Sequence, residues 1–268
     1  NLYAEADPAA IIASAPGVGP VIEQPIRTEQ DVACLHPLEP ESGVPFVFET
    51  IMLLRKELTV PLIGFAGGPF TLASYLIEGG PSKDHARTRA MMYSAPDAWT
   101  RLMDRLTGAV LSYLRGQVIA GAQAVQIFDS WVGHVNPIDY ERLVRPWVAR
   151  IVSGLADLGV PRILFGLNSG ELLGSMAGTG VDVLGVDWRT PLDRARQRLA
   201  GPIVLQGNLD PAVCLAPWEV VCARAVEVLE RGGGAAHIFN LGHGVLPDTD
   251  PDPLARLVEL VHRWEPSG

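Results

Sequence analysis

Cysteine is scarce in this sequence, and its three occurrences, Cys34, Cys214 and Cys222, lie far apart with no CxxC or HxC spacing. Neither a disulfide framework nor a structural zinc site is indicated. Basic charge is also short: 21 Lys and Arg against 30 Asp and Glu leave a net charge of −9. Such a surface disfavours nucleic acid and gives no long-range attraction to an acidic ligand, so any anion site has to be built locally. No apolar run approaches the roughly 20 residues that cross a bilayer. The acidic start Asn1–Asp7 has neither the basic end nor the apolar core of a signal peptide. The expectation is a soluble, cytoplasmic chain with no membrane or nucleic-acid partner. A P-loop and a GxGxxG turn are missing, Ser130 has no GxSxG elbow, and no cysteine has an adjacent histidine. Phosphate-cradling loops and the familiar activated nucleophiles are therefore not indicated.

What the chain does have is apolar content, 48% of 268 residues, enough to bury one large core in a single domain spanning residues 1–268. From Val60 onward, short β-branched or apolar runs alternate with amphipathic stretches, the signature of repeated βα units around a parallel sheet. The runs are Pro61–Ala66, Ala124–Phe128, Arg162–Gly166, Asp182–Val186, Ile203–Gln206 and His237–Asn240. Between the first two, Trp99, Leu102, Met103, Leu106, Val110, Tyr113, Leu114 and Val118 recur at helical spacing. Further helices are expected at Tyr140–Leu158, broken or kinked at Pro146, and at Glu171–Met176, Leu192–Leu199, Trp218–Leu229 and Pro253–Trp264. Asp252-Pro253 supplies a start signal for the last of these. Six strands leave an eight-stranded barrel unclosed. Either the sheet is open and doubly wound, or two more strands lie near the N-terminus, where Ala9–Ile12 can form part of one.

In a parallel barrel the chemistry sits at the carboxyl ends of the strands. The polar residues found there are Tyr75 after the first run, Asp129 and Ser130 after the second, Asp187-Trp188-Arg189 after the fourth, Asn208 and Asp210 after the fifth, and His243 after the sixth. Each has an ordinary structural account. Asp129 can cap the next turn, Tyr75 can be core, His243 can be a loop histidine between two glycines, and Asn208 and Asp210 read as turn and cap residues. Gly67, Gly68, Gly207, Gly242 and Gly244 crowd the same rim, and together they would let backbone approach a bulky ligand. The pattern by itself ends at an α/β barrel-like enzyme with an unnamed ligand.

The segment PLIGFAGGPFTLASYLIEGG (Pro61–Gly80) resembles a signature region of the uroporphyrinogen decarboxylase family almost throughout. QIFDSW (Gln126–Trp131), GVDWR (Gly185–Arg189), LQGNLDP (Leu205–Pro211) and FNLGHGVLP (Phe239–Pro247) follow in the family's order. The likeness runs from about Pro16 to the end. It implies an α/β fold of the (β/α)8 TIM-barrel type, usually a homodimer, using no metal or organic cofactor. The implied substrate is a tetrapyrrole, uroporphyrinogen III, whose four acetate arms lose CO2 to give coproporphyrinogen III in porphyrin and heme biosynthesis. By the same resemblance Tyr75, Ser130 and His243 match residues that line the cleft and contact the substrate, with His243 also able to take part in proton transfer.

The chemistry implied is a decarboxylation in which the substrate's pyrrole, protonated at a ring carbon, serves as the electron sink. That step needs an acid, and negative charge beside the transient cation in a dry site. The family supplies the charge with an aspartate in an IFSD-like run, and it grips the carboxylates with arginines in a PVWFMRQAGR-like stretch. Neither run has a counterpart here, so the catalytic groups stay unassigned. The stretch AAIIAS (9–14) resembles the family's second strand up to its serine, and the chain then passes at once to a hairpin-like APGVGP. Residues look deleted between Ser14 and Pro16, and again between about Leu2 and Asp7, as if parts of a longer chain had been joined. A zinc-dependent methyltransferase of the same superfamily would need a histidine–cysteine ligand set, and no cysteine stands near His243. A non-catalytic tetrapyrrole-binding protein is the other alternative.

Overall fold

The computed structural model describes residues 21–233 and 236–265. The stretch Ala9–Ile12 and both suspected junctions lie outside them. Two short helical turns, Glu29–Ala33 and Pro40–Gly43, and helix α1 (Pro45–Glu57) precede the first strand. All six expected strands are present: β1 (Ile63–Gly67), β2 (Ala124–Phe128), β3 (Arg162–Phe165), β4 (Val183–Gly185), β5 (Val204–Leu209) and β6 (His237–Leu241). They pair in parallel and in chain order, β1 to β6.

The register sets the two faces. One layer runs Phe65, Gln126, Ile163, Val183 and Val204 across five strands, and a second runs Gly67, Phe128, Phe165, Gly185, Gln206 and Ile238 across six. Because side chains alternate along a strand, all of these share the concave face. Gly64, Ala66, Val125, Ile127, Leu164, Leu184 and Leu205 point the other way, toward the helices. In the middle of the sheet the concave face is closed over, and Gln206 Nε2 donates to Gln126 Oε1 at 3.2 Å within it. At the two outer strands it is open: Phe65 is 61% and Ile238 43% exposed. Among the described residues β1 and β6 each have one strand neighbour.

The helical region between β1 and β2 divides into α2 (Pro69–Glu78), α3 (Ala86–Ser94) and α4 (Pro96–Ile119). Prolines start α2 and α4 in the first turn, where a missing N–H costs no helical hydrogen bond. Gly79, at φ 79°, ends α2 in the left-handed conformation that glycine adopts without a Cβ clash. The α4 stripe reads as its spacing demands: Trp99, Leu102, Met103, Leu106, Val110 and Leu114 are all buried. Each such side chain contributes roughly 1.5–3 kcal/mol by leaving water.

Pro146 does more than kink its helix. Residues Tyr140–Val144 form a wide π turn, and helix α5 (Arg145–Gly154) restarts with Pro146 in its first turn. A proline ring cannot sit over the preceding turn of a continuous helix. Four shorter or later helices complete the fold: α6 (Leu173–Ala177), α7 (Leu192–Gln197), α8 (Trp218–Gly232) and α9 (Pro251–Arg263). The start of α9 lies two residues earlier than expected, because Asp250 rather than Asp252 caps it, accepting from the Asp252 amide at 3.0 Å. A second, smaller apolar cluster, with Leu209, Val221, Ala225 and Leu257, fastens α8 and α9 to the end of β5.

Candidate active site

The site is built at the carboxyl ends of the strands, and its floor is aromatic. Phe65 meets Phe128 edge-on at 5.8 Å, and Phe128 meets Phe165 at 6.0 Å. Above Phe165 the imidazole of His243 lies nearly parallel at 6.3 Å, and beyond it Trp188 lies nearly parallel at 6.2 Å. His243 is exposed, two residues past β6. Its place is set by Gly242, where a Cβ would strike the backbone nitrogen of Trp188, so the chain can pass there only as glycine.

The Arg189 guanidinium lies over the Trp188 ring, 3.9 Å from its centre. Buried Asp187 fixes this corner by accepting from the amides of Asn168 and Arg189 and by pairing with the Arg189 guanidinium at 3.4 Å. Asn208 braces the same loop from within, donating to the carbonyls of Asp187 and Thr190 at 2.8 and 2.7 Å. Asp210 caps the turn Pro211–Leu215. Both have the structural roles expected of them.

A second cluster stands over β1 and β2. Tyr75, on α2 and 40% exposed, lies 4.2 Å from Trp131 between ring centres. Ser130, half-buried, is the residue before Trp131. Trp131 in turn stacks on His85 at 4.5 Å, and His85 meets His134 at 4.7 Å. Tyr75 thus packs on Trp131, the residue that follows Ser130, while His243 belongs to the Phe165–Trp188 group.

Asp129 holds α2 in place, and so corrects the expectation that it caps the turn following it. Its Oδ1 accepts from the Thr71 amide at 2.8 Å and the Thr71 hydroxyl at 2.7 Å, at the start of a helix 58 residues away. The same hydroxyl accepts from the Trp131 amide at 3.1 Å. Burial pushes the Asp129 carboxyl up to about 6, against the hydrogen bonds from Thr71 and the Phe70 amide, which pull it down. Oδ2 is buried with no partner. Burial, and then the Asp129 charge, also raises the neighbouring Tyr140 hydroxyl well above its ordinary range.

The rim glycines correct another expectation. At Gly68 a Cβ would stand 2.5 Å from the Asp129 side chain, and at Gly67, Gly207 and Gly242 the space is likewise taken by the protein's own atoms. Only Gly244 of the five faces open space. The glycines let the rim pack against itself more than they admit a ligand. Sequence reasoning passed over His85, His134, Trp131 and the phenylalanine row; the shared phase of Phe65 in the middle of β1 with Phe128 and Phe165 at the ends of β2 and β3 was the signal that could have found the floor. Cys34, Cys214 and Cys222 are free thiols, and among the described residues no three His, Cys, Asp or Glu side chains converge as a metal site. Among those residues, too, no helix is long and apolar enough to cross a membrane.

Comparison with known proteins agrees with this architecture. A protein with the description "methyltransferase from Methanosarcina mazei" superposes with a TM-score of 0.71 over 84% of this chain and 69% of its own, at 22% identity. A B12-independent methionine synthase from Shewanella does so with a TM-score of 0.59, over 86% of this chain and 70% of its own, at 15% identity. At such identities the likeness speaks for the TIM-barrel type of α/β fold alone. Sequence similarity is far closer elsewhere. Uroporphyrinogen decarboxylase of Thermobifida fusca is 57% identical over 92% of this chain and 69% of its own length. The Bacillus subtilis protein of that name is 50% identical over 92% of this chain and 70% of its own. The family model described as uroporphyrinogen decarboxylase (URO-D) matches residues 11–264, and the chain belongs to this family.

Proposed function

We propose that the chain is a carboxy-lyase that removes the four acetate carboxyl groups of uroporphyrinogen III as CO2, giving coproporphyrinogen III, with no organic cofactor or metal. The observation that carries this is the junction of family motif and geometry. The signature Pro61–Gly80 becomes β1 and α2 and sets Tyr75 against Trp131, the residue after Ser130, while the Phe128–Phe165–His243 row lies at the carboxyl ends of the strands. An aromatic floor suits a tetrapyrrole, and hydroxyl and imidazole donors at its edge suit carboxylate arms. Tyr75 and Ser130 donate to those arms, and His243 positions one of them and can pass a proton. Arg189, held by Asp187 and Trp188, offers further N–H donors at the same rim. The carboxylate of Asp129 is committed to α2, so the counter-charge for the protonated pyrrole is not assigned to it. The single barrel domain, the homodimer and the cytoplasmic location implied by the resemblance belong to this reading as well, and sedimentation of the purified chain tests the dimer.

The activity is tested by supplying uroporphyrinogen III anaerobically and separating products by their remaining carboxyl groups. Stepwise loss of acetate carboxyls is expected, and binding without CO2 release would leave a tetrapyrrole-binding protein instead. Within an active protein, His243→Asn slows particular decarboxylation steps or weakens binding while the fold is kept. Turnover unaltered through every intermediate would remove His243 from the site. Tyr75→Phe and Ser130→Ala each delete one hydrogen bond to a charged group, with an expected loss of roughly tenfold in kcat/KM.

A further inference from the structure

We propose that His85 is a positioning residue for Tyr75: through Trp131 its ring fixes where the tyrosine hydroxyl stands, and protonation of the His85–His134 pair releases that hold. The inference rests on Tyr75 belonging to the site proposed above. Its geometric basis is a run of four rings, His134, His85, Trp131 and Tyr75, with successive centre distances of 4.7, 4.5 and 4.2 Å. His85 lies at the inner part of this run and is 2% exposed.

The surrounding chain leaves His85 little freedom. Its backbone is left-handed, at φ 49°, an uncommon conformation for a residue with a Cβ. Its amide donates to Ser82 Oγ at 3.0 Å. Three residues on, the Thr88 amide and hydroxyl both donate to Glu78 Oε1 at 2.9 Å, which ties the start of α3 to the end of α2. Trp131 is held from its own side by the Thr71 hydroxyl, which binds its amide. Both ends of the His85–Trp131 contact are therefore anchored to α2, the helix that carries Tyr75.

The choice of an imidazole is the telling detail. A phenyl ring would fill the same space and stack equally well, whereas His85 buries an Nδ1 that has no hydrogen-bond partner. Leaving such an atom unpaired costs roughly 1–3 kcal/mol, so a group that only packed would not need to be titratable. The charges facing it are mixed. Glu78 of α2 and Asp84 of its own loop favour the cation; burial most of all, then His134 from the loop after β2 and Arg89 of α3, oppose it. His134 is likewise disfavoured as a cation, by burial and then by Arg89. Both imidazoles are thus neutral at neutral pH, and both gain a proton only below their usual 6.5. A proton taken up there demands hydration that the buried stack cannot give, and two charged rings in contact repel. His85 then leaves Trp131, and Tyr75 loses its backing.

The test uses the full chain with its tyrosine rings labelled with carbon-13, the Tyr75 signal being identified by its loss in Tyr75→Phe. In the wild type the Tyr75 ring signal shifts as pH is lowered through the imidazole titration, and KM for uroporphyrinogen III rises over the same range. In His85→Phe the stack persists, so the signal no longer titrates, KM stays low, and the acid rise disappears. In His85→Ala KM is raised at every pH, by roughly tenfold, with kcat less affected. A Tyr75 signal that ignores pH in the wild type, or one that titrates equally in His85→Phe, would overturn the proposal. A wild-type chain that releases no CO2 would count against the decarboxylase reading alone, since the Tyr75 titration needs no substrate and still decides the role of His85.

Discussion

Asp129 shows how one side chain can organise a site without being free to react in it. It joins the end of β2 to the first turn of α2, and through Thr71 it also fixes the amide of Trp131. Its raised carboxyl pKa carries a consequence for stability. A carboxyl that holds its proton more tightly in the fold contributes stability that is fully present below the unfolded value of 3.8 and is lost as pH rises through about 6. The shift corresponds to on the order of 3 kcal/mol. Asp129→Asn keeps the acceptor for Thr71 and has no charge to bury. Urea unfolding of both proteins is therefore expected to show the variant gaining on the wild type by up to that amount between about pH 4 and pH 7. A stability difference that stays constant with pH would mean that the carboxyl titrates as if in water.

Elements were more legible than contacts. The six strands follow from short apolar, β-branched runs between turn signals, and α4 follows from a stripe whose every expected large residue from Trp99 to Leu114, Tyr113 apart, is buried. Leu106→Ala in that stripe is expected to cost about 2–5 kcal/mol, read as a lower urea midpoint with an unchanged slope. Boundaries were less legible where two signals compete: Pro146 left a break or a kink open, and the structure has the break, while Asp250-Pro251 caps α9 ahead of Asp252-Pro253. The site was legible in part. Tyr75, Ser130 and His243 came from motif resemblance, but the His134–His85–Trp131–Tyr75 run joins two loops and a helix up to 59 residues apart, and periodicity carries no information about such meetings. Asp129 illustrates the same limit, since its capping chemistry was readable and the helix it caps was not.

At the scale of the whole molecule, the fold places a locally polar, aromatic mouth on a body of net charge −9. Uroporphyrinogen is itself a polyanion, so on the reading proposed above the far field of the protein opposes its approach while donors at the rim, Arg189 among them, attract it at contact. The two effects act over different distances, and salt separates them. Raising ionic strength from about 10 to 150 mM shortens the screening length from roughly 30 to 8 Å, which suppresses the long-range repulsion first and leaves hydrogen-bonded contacts within the site largely intact. Binding of the substrate is therefore expected to tighten over that range and to weaken only at higher salt, as the contacts themselves become screened. Steady-state kcat/KM measured across a salt series checks this. A monotonic fall from the lowest salt onward would mean that cations gathered at the mouth govern the field well beyond it, and that the acidic surface is too distant from the approach path to matter.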